Sequence, residues 1–508
     1  MKKYMLLFIL SWPLVLSAKG QAYEAVFNRI DEAYTINGDG SSEYRYRKEL
    51  KLNTHLAFNN LYGETFIAYN PAYQTLKINE AYTKQADGTI VRTPDNAFNP
   101  SLPRFASDAP AYNRLTEMIV THTGLELGCT IYLDYTISTK TGYLAATDFY
   151  RSFNDHSPIE EYQLSITAPS DLFYRQTVKP GVEPQRNGRT YMWKFKNIPA
   201  VFPESNIASN TIPFFFASTE RSDEARAKAI GDMIAEAARG TVDNYVGKTE
   251  FCGIAKYVGK QVDNSRVPLY LANRIRTPQD VADSAYGTAA EKAALFASLL
   301  KTAGTEGSIV CTFPKNVSPS LLTLSNIYIK SGNKLISPVD GSENETSRLS
   351  YHNQLWVDGN RLKIDLVPEQ VTYAVEKDLN TEEAGLSQSG DYLVYTLPVP
   401  DKGFDTWRIK TLNTERRQTY EIPTMLDETC EYTLVLPEGR TLATKPYDRT
   451  IRNKVGEVRL QLVREENKVK IARHIRLNEY LIPTSYYAAF RSLANLWNNP
   501  AYRSVILR

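Results

Sequence analysis

Cysteine and histidine are scarce in this chain of 508 residues, which carries 4 of one and 5 of the other. Cys129, Cys252, Cys311 and Cys430 lie far apart, with no Cys-x-x-Cys and no Cys/His grouping at ligand spacing. That pattern excludes a zinc-finger type of site and gives no reason to pair any two thiols, so no metal and no cofactor are expected. Isolated thiols in apolar contexts read as core residues, and all four are read that way. Long hydrophobic runs are missing as well. Met5–Leu16 is apolar apart from Ser11 and Pro13 but is too short to cross a bilayer, and no later run reaches the roughly 18 residues a spanning helix needs. An excess of positive charge is also absent: 59 Lys and Arg stand against 57 Asp and Glu, which argues against a nucleic-acid binder.

What is present starts with a leader. Lys2 and Lys3 precede the apolar stretch, and Gly20 and Ala22 occupy the −3 and −1 positions of a cleavage after Ala22. Residues 1–22 therefore read as a signal peptide, and the mature chain as exported, to the periplasm or the cell surface. Losing Lys2, Lys3 and Lys19 with that leader turns the net charge of +2 into −1. Tyrosine is abundant at 33 residues, against 19 Phe and 5 Trp, and suits half-buried strands whose hydroxyls reach water.

At about 150 residues per domain, the length suggests three domains. Residues 23–220 read as a β-sandwich: Tyr44-Arg45-Tyr46-Arg47 alternates, Asp87-Gly88 marks a hairpin, and Asn187-Gly188 precedes another strand at Tyr191–Phe195. The texture changes at Ser222. Residues 221–378 read as an α+β domain with helices over Asp223–Arg239, Thr249–Val262 and Ala289–Ala303. The third has Thr288 as N-cap, Glu291 completing a capping box, and Gly304 ending it. Strands follow at Ser308–Phe313, Ser325–Lys330, Lys334–Ser337 and Gln354–Leu366. Residues 379–508 read as a second β-sandwich, with one helix over Tyr486–Asn498. The fold class is multidomain and β-rich.

The middle region resembles the transglutaminase-like superfamily, relatives of the papain-type cysteine proteases, in a bacterial three-domain form. Three segments carry the resemblance: Tyr286–Ala293, similar to the turn and helix that open on Gly-x-Cys; Leu324–Tyr328, similar to the strand bearing the catalytic His; and Leu335–Pro338, similar to the strand bearing the acid. The resemblance implies a Cys-His-Asp triad at these places. This chain has Ala289, Asn326 and Ser337 instead. A methyl group is no nucleophile, an amide exchanges no proton near neutral pH, and a hydroxyl does not offset an imidazolium charge. With a two-residue turn at Ser331-Gly332, Lys330 would face Asn333 and Asn326 would face Ser337, a spacing that suits a His–Asp pair.

The expected reading is a pseudoenzyme whose groove, around Tyr286, Gly287, Ala289, Asn326, Ser337 and Asp340, holds a peptide, peptidoglycan fragment or oligosaccharide without cleaving it. Two alternatives stand beside it: a cysteine peptidase or amidase using a relocated thiol, Cys252 or Cys311, and a structural spacer. Other residues have plainer readings. Asp340 and Glu343 suit a solvated turn, His352 an exposed stretch, Asp283–Tyr286 a loop, and the tyrosines ordinary strand positions rather than a sugar-binding platform.

Overall fold

The computed structural model describes residues 23–508, apart from 203, 209–210, 244, 246, 248, 333, 345, 360–366, 381–385, 408 and 410–411. The leader expected over 1–22 and the end of the strand expected to reach Leu366 fall outside the described residues. No described helix is long and apolar enough to cross a membrane.

The first β-sandwich is built on an eight-stranded sheet in which Ala25–Ile36 lies at the centre, parallel to Ile159–Thr167 and antiparallel to Ser42–Leu52. Alternation in Ser42–Leu52 turns Tyr46 inward and leaves Arg45 outward, where it pairs with Asp134. Two three-stranded sheets, one containing Asp148–Ser152 and Phe214–Ser218 and the other Glu64–Tyr69, complete the domain. Trp193, Phe215 and Tyr162 fill its main core.

The middle domain is the transglutaminase-like α+β core. Helices α1 (Asp223–Ala237), α2 (Phe251–Lys260), α3 (Leu269–Ala272), α4 (Pro278–Ser284) and α5 (Ala289–Thr302) precede a five-stranded antiparallel sheet. Within it, Ser308–Pro314 lies between Asn326–Ser331, the central strand, and the edge strand His352–Trp356. Helix α5 is buried nearly all round; Phe296, Leu299 and Leu300 meet Ile309, Cys311, Ile327 and Ile329. Between α4 and α5, where a loop was expected, Ala285 takes a left-handed turn and Tyr286–Thr288 pairs in parallel with Asp263–Ser265.

A second β-sandwich closes the chain, with helix α6 (Thr484–Trp497) packed on it. Its five-stranded sheet begins with Glu369–Asp378, parallel to Leu426–Val435, on the N-terminal side of the boundary expected at 379. The three units touch pairwise. Ala208 N donates to Thr419 O at 3.0 Å, joining the first to the last. Tyr351 of the core stacks on Tyr480 with ring centroids 3.6 Å apart.

One close approach fixes the acid-strand hairpin on α2. A Cβ on Gly259 would lie 2.3 Å from Gly341 N, and Gly341 itself has φ of +72°. In an exposed helix Gly→Ala gains about 1 kcal/mol. Here Gly259→Ala should instead lose about 1–3 kcal/mol through overpacking, read from urea unfolding midpoints; a gain would show that the turn does not rest on the helix.

Candidate functional site

The start of α5 is where the superfamily resemblance places a thiol. Ala289 is the first helical residue, half-buried, and the turn around it carries a capping box. Thr288 Oγ1 accepts from Glu291 N at 3.3 Å, and Glu291 Oε2 accepts from Thr288 N at 2.8 Å, so the capping box is closed. The same carboxylate is completely buried and paired with Arg276: Oε1 accepts from Arg276 N at 3.1 Å and Nε at 3.0 Å, and Oε2 from a terminal nitrogen at 3.1 Å. Tyr112, from the first sandwich, donates its hydroxyl to Glu291 Oε1. Burial, then the neighbouring Glu291 charge, push the Tyr112 phenol well above its ordinary range, which keeps it a donor.

Tyr286 and Gly287 belong to this joint rather than to an open groove. Arg276 lies 4.4 Å from the Tyr286 ring centroid and donates to Tyr286 O at 2.7 Å, while the Tyr286 hydroxyl accepts from Ala111 N at 2.7 Å. Gly287 is buried, with Val281 and Glu291 side chains 3.0 and 3.2 Å from where a Cβ would stand. Lys292, also buried, donates to Val262 O at 2.6 Å and Val339 O at 2.8 Å, and burial lowers its ammonium pKa to about 8. Sequence reasoning recognised Glu291 only as a cap and passed over Lys292, Arg276 and Tyr112. The polar run Glu291-Lys292 inside an otherwise apolar helix was the available signal.

The hairpin corrects the expected register. Ser331 faces Lys334, Lys330 faces Leu335 and Ile329 faces Ile336. The turn therefore opens on Gly332, whose φ is +53°. A two-residue hairpin turn favours positive φ at its first central residue, which Ser331 would have adopted at a cost. Continuing this register sets Ser337 level with Tyr328, not with Asn326. Asn326 is also on the wrong face to meet α5. Ile327 and Ile329 pack toward the helices, whereas Tyr328, with Val310, Leu335 and Trp356, packs on the opposite side of the sheet. Asn326 alternates with Ile327 and opens into a cavity of about 410 Å³ shared with Thr312, Tyr328, Tyr351, His352 and Glu421. His352, expected to be exposed, is half-buried there.

Ser337 closes its own turn: its N donates to Ser342 O and its O accepts from Gly341 N, both at 2.9 Å. Asp340 is exposed and accepts from Ser342 N at 3.0 Å and Oγ at 2.7 Å. Although desolvation opposes it, those bonds hold the Asp340 carboxyl below its ordinary range. Ala289 and Asn326 thus serve different surroundings, and no acid–base pair is assembled from the three expected positions.

Comparison with known proteins places the whole chain. Residues 38–202 match DUF3857 and residues 392–507 match DUF3858, each described as a domain of unknown function with a solved structure. A solved structure from Parabacteroides distasonis ATCC 8503, named as a "putative protease", is 31% identical, with a TM-score of 0.79 over 96% of this chain and 100% of that one. The chain belongs to the same protein family. Yeast LTA4 hydrolase in complex with Bestatin, at 9% identity and a TM-score of 0.22 over 40% of this chain and 31% of that one, is too distant to inform either fold or function. No curated protein matches.

Among family features, the thiols remain to be placed. Cys129, Cys311 and Cys430 are buried and unpaired, and burial raises the Cys311 thiol to about 12. Cys252 departs from its core reading. It is the second residue of α2 and exposed, with Lys334 Nζ donating to its sulfur at 3.1 Å. A maleimide reagent should label the native protein once, and Cys252→Ser should abolish that labelling. Modification of Cys311 before unfolding would contradict the packing described.

Proposed function

We propose that this protein is an exported, non-hydrolytic member of its family, a binding or scaffold protein of the cell envelope. The observation that carries the reading is the start of α5: a methyl group at Ala289 above a capping box whose carboxylate is bound to Arg276 and Tyr112. Thiol acyl transfer needs a nucleophile and a base within hydrogen-bond reach of one another. Here the first position has no heteroatom, and Asn326 faces another cavity. Export rests on the leader over residues 1–22. A peptide or glycan is the ligand class favoured by the cavity of about 410 Å³ between core and flanking domains, where Asn326, His352 and Glu421 offer donors and acceptors beside Tyr328 and Tyr351.

A second reading has two supports of its own, the name of the Parabacteroides relative and the exposed Cys252 beside Lys334. One experiment separates the two. Protein isolated from the native envelope, with a chain beginning at Tyr23, is incubated with peptidoglycan fragments and peptides, alongside Cys252→Ser, and products are followed by mass spectrometry. The proposal expects no turnover by either protein together with a ligand-induced rise in melting temperature. Turnover lost in Cys252→Ser would establish the relocated thiol; turnover kept in that variant would place catalysis elsewhere and equally refute the inert reading.

A further inference from the structure

Asp148 stands at the seam between the first sandwich and the core without an ion pair. It opens the edge strand Asp148–Ser152, is half-buried, and accepts from Ser320 Oγ of the core at 2.6 Å through Oδ2. Burial pushes its carboxyl above the ordinary aspartate range, by more than the Ser320 and Ser218 hydroxyls and the Arg226 charge pull it back; the Glu220 charge adds a smaller push. Arg226 is the only basic residue lining this place, and its nitrogens are committed elsewhere. Nε donates to Pro319 O at 3.2 Å, and the two terminal nitrogens donate to Glu220 O and the Asp223 carboxylate. A carboxylate drawn out of water is ordinarily paired with a cation. Asp148 has hydroxyls instead.

The residue lines a cavity of about 260 Å³ between the sandwich and α1. One wall is aliphatic and reachable. Ala225, Ala229 and Met233 follow at four-residue spacing along α1, the two alanines exposed, and Leu144 stands across from them, 49% exposed. Glu220, also exposed, lines the same space, so the charges not already paired there are both negative. The volume falls below the roughly 300–1,000 Å³ of drug-sized pockets, which restricts the occupant to a small group. A carboxylate beside an aliphatic wall is complementary to an ammonium on a hydrocarbon chain. The ammonium brings three donors and the missing charge, and the chain covers exposed methyl groups.

We propose that this cavity binds a short aliphatic primary amine, its ammonium on Asp148 and its chain along the Ala229–Met233 face of α1. Such an ammonium arrives either on a free amine or at the end of a lysine-type side chain of a peptide. The site is separate from Ala289 and from the cavity at Asn326, and does not depend on either being inert. Because Asp148 and Leu144 belong to the sandwich and α1 to the core, an occupant bridges the two domains.

The test is calorimetric titration of the chain beginning at Tyr23 with n-pentylamine, Nα-acetyl-lysine amide and, as the uncharged counterpart, 1-pentanol. At least one of the two ammonium compounds should bind at a single site with a dissociation constant of about 1 mM or tighter, and pentanol at least tenfold more weakly. Pentylamine alone would assign a free amine, the lysine derivative alone a peptide side chain, and both together a site open to either. Asp148→Asn, which keeps an acceptor for Ser320, should weaken the bound amine at least tenfold. Ala229→Leu, on the exposed surface of α1, should fill the cavity and serves if Asp148→Asn does not fold. Cys252→Ser, outside the cavity, should bind as the parent does. No binding of either ammonium compound at about 10 mM, ten times that constant, would overturn the proposal. So would pentanol binding as tightly as the amine, or amine binding untouched by both cavity variants.

Discussion

A completely buried carboxylate needs partners on both oxygens, and Glu291 obtains them from three parts of the chain. Its own helix start supplies Thr288 N, the connection before α4 supplies Arg276, and the first sandwich supplies Tyr112. Removing any one leaves the others underpaired in a dry environment, where breaking a buried ion pair costs roughly 3–5 kcal/mol. The position of α5, the course of residues 276–288 and the docking of the first domain are therefore one problem with one solution. The small cluster of Ala106, Ala109, Tyr112, Leu115, Val267 and Leu271 surrounds the same joint and shields it from water.

This constraint bears on chemistry as well as stability. A nucleophile at a helix start works because the first turn offers unsatisfied N–H groups and the positive end of the dipole to a developing anion. Here Thr288 takes the Glu291 N–H and Glu291 brings a negative charge to the first turn. The capping box of this turn is tied, through Glu291 and Tyr112, to the joint between two domains. Family membership fixes the architecture around this point; the residues at the point decide its use.

Much of the fold was legible in the sequence because strong local signals agreed with tertiary packing. The Thr288–Glu291 capping box and Gly304 bounded α5 to within a residue, and the strand alternation of Tyr44–Arg47 and Ile131–Tyr135 gave the sandwich. Failures came where a feature depends on something distant or on a single dihedral. The hairpin slipped because Gly332, not Ser331, takes positive φ at the first turn position. Cys252 was read from its apolar neighbour Phe251, yet it lies on the outer side of the first turn of α2. The partners of Glu291 are 15 and 179 residues away in sequence, a pairing that no local pattern announces. Asn326 was placed on the right strand but on the face away from α5, because resemblance aligns residues more readily than it orients them.

The central claim is that the start of α5 is a structural joint between domains, and a double-mutant cycle on its two ends tests it most directly. Tyr112→Phe and Glu291→Gln, alone and combined, would be compared by urea unfolding. The account predicts a coupling energy of about 1 kcal/mol or more, since each substitution removes one end of the same hydrogen bond. Additivity within about 0.5 kcal/mol would contradict it and return the helix start to the list of sites free to do chemistry.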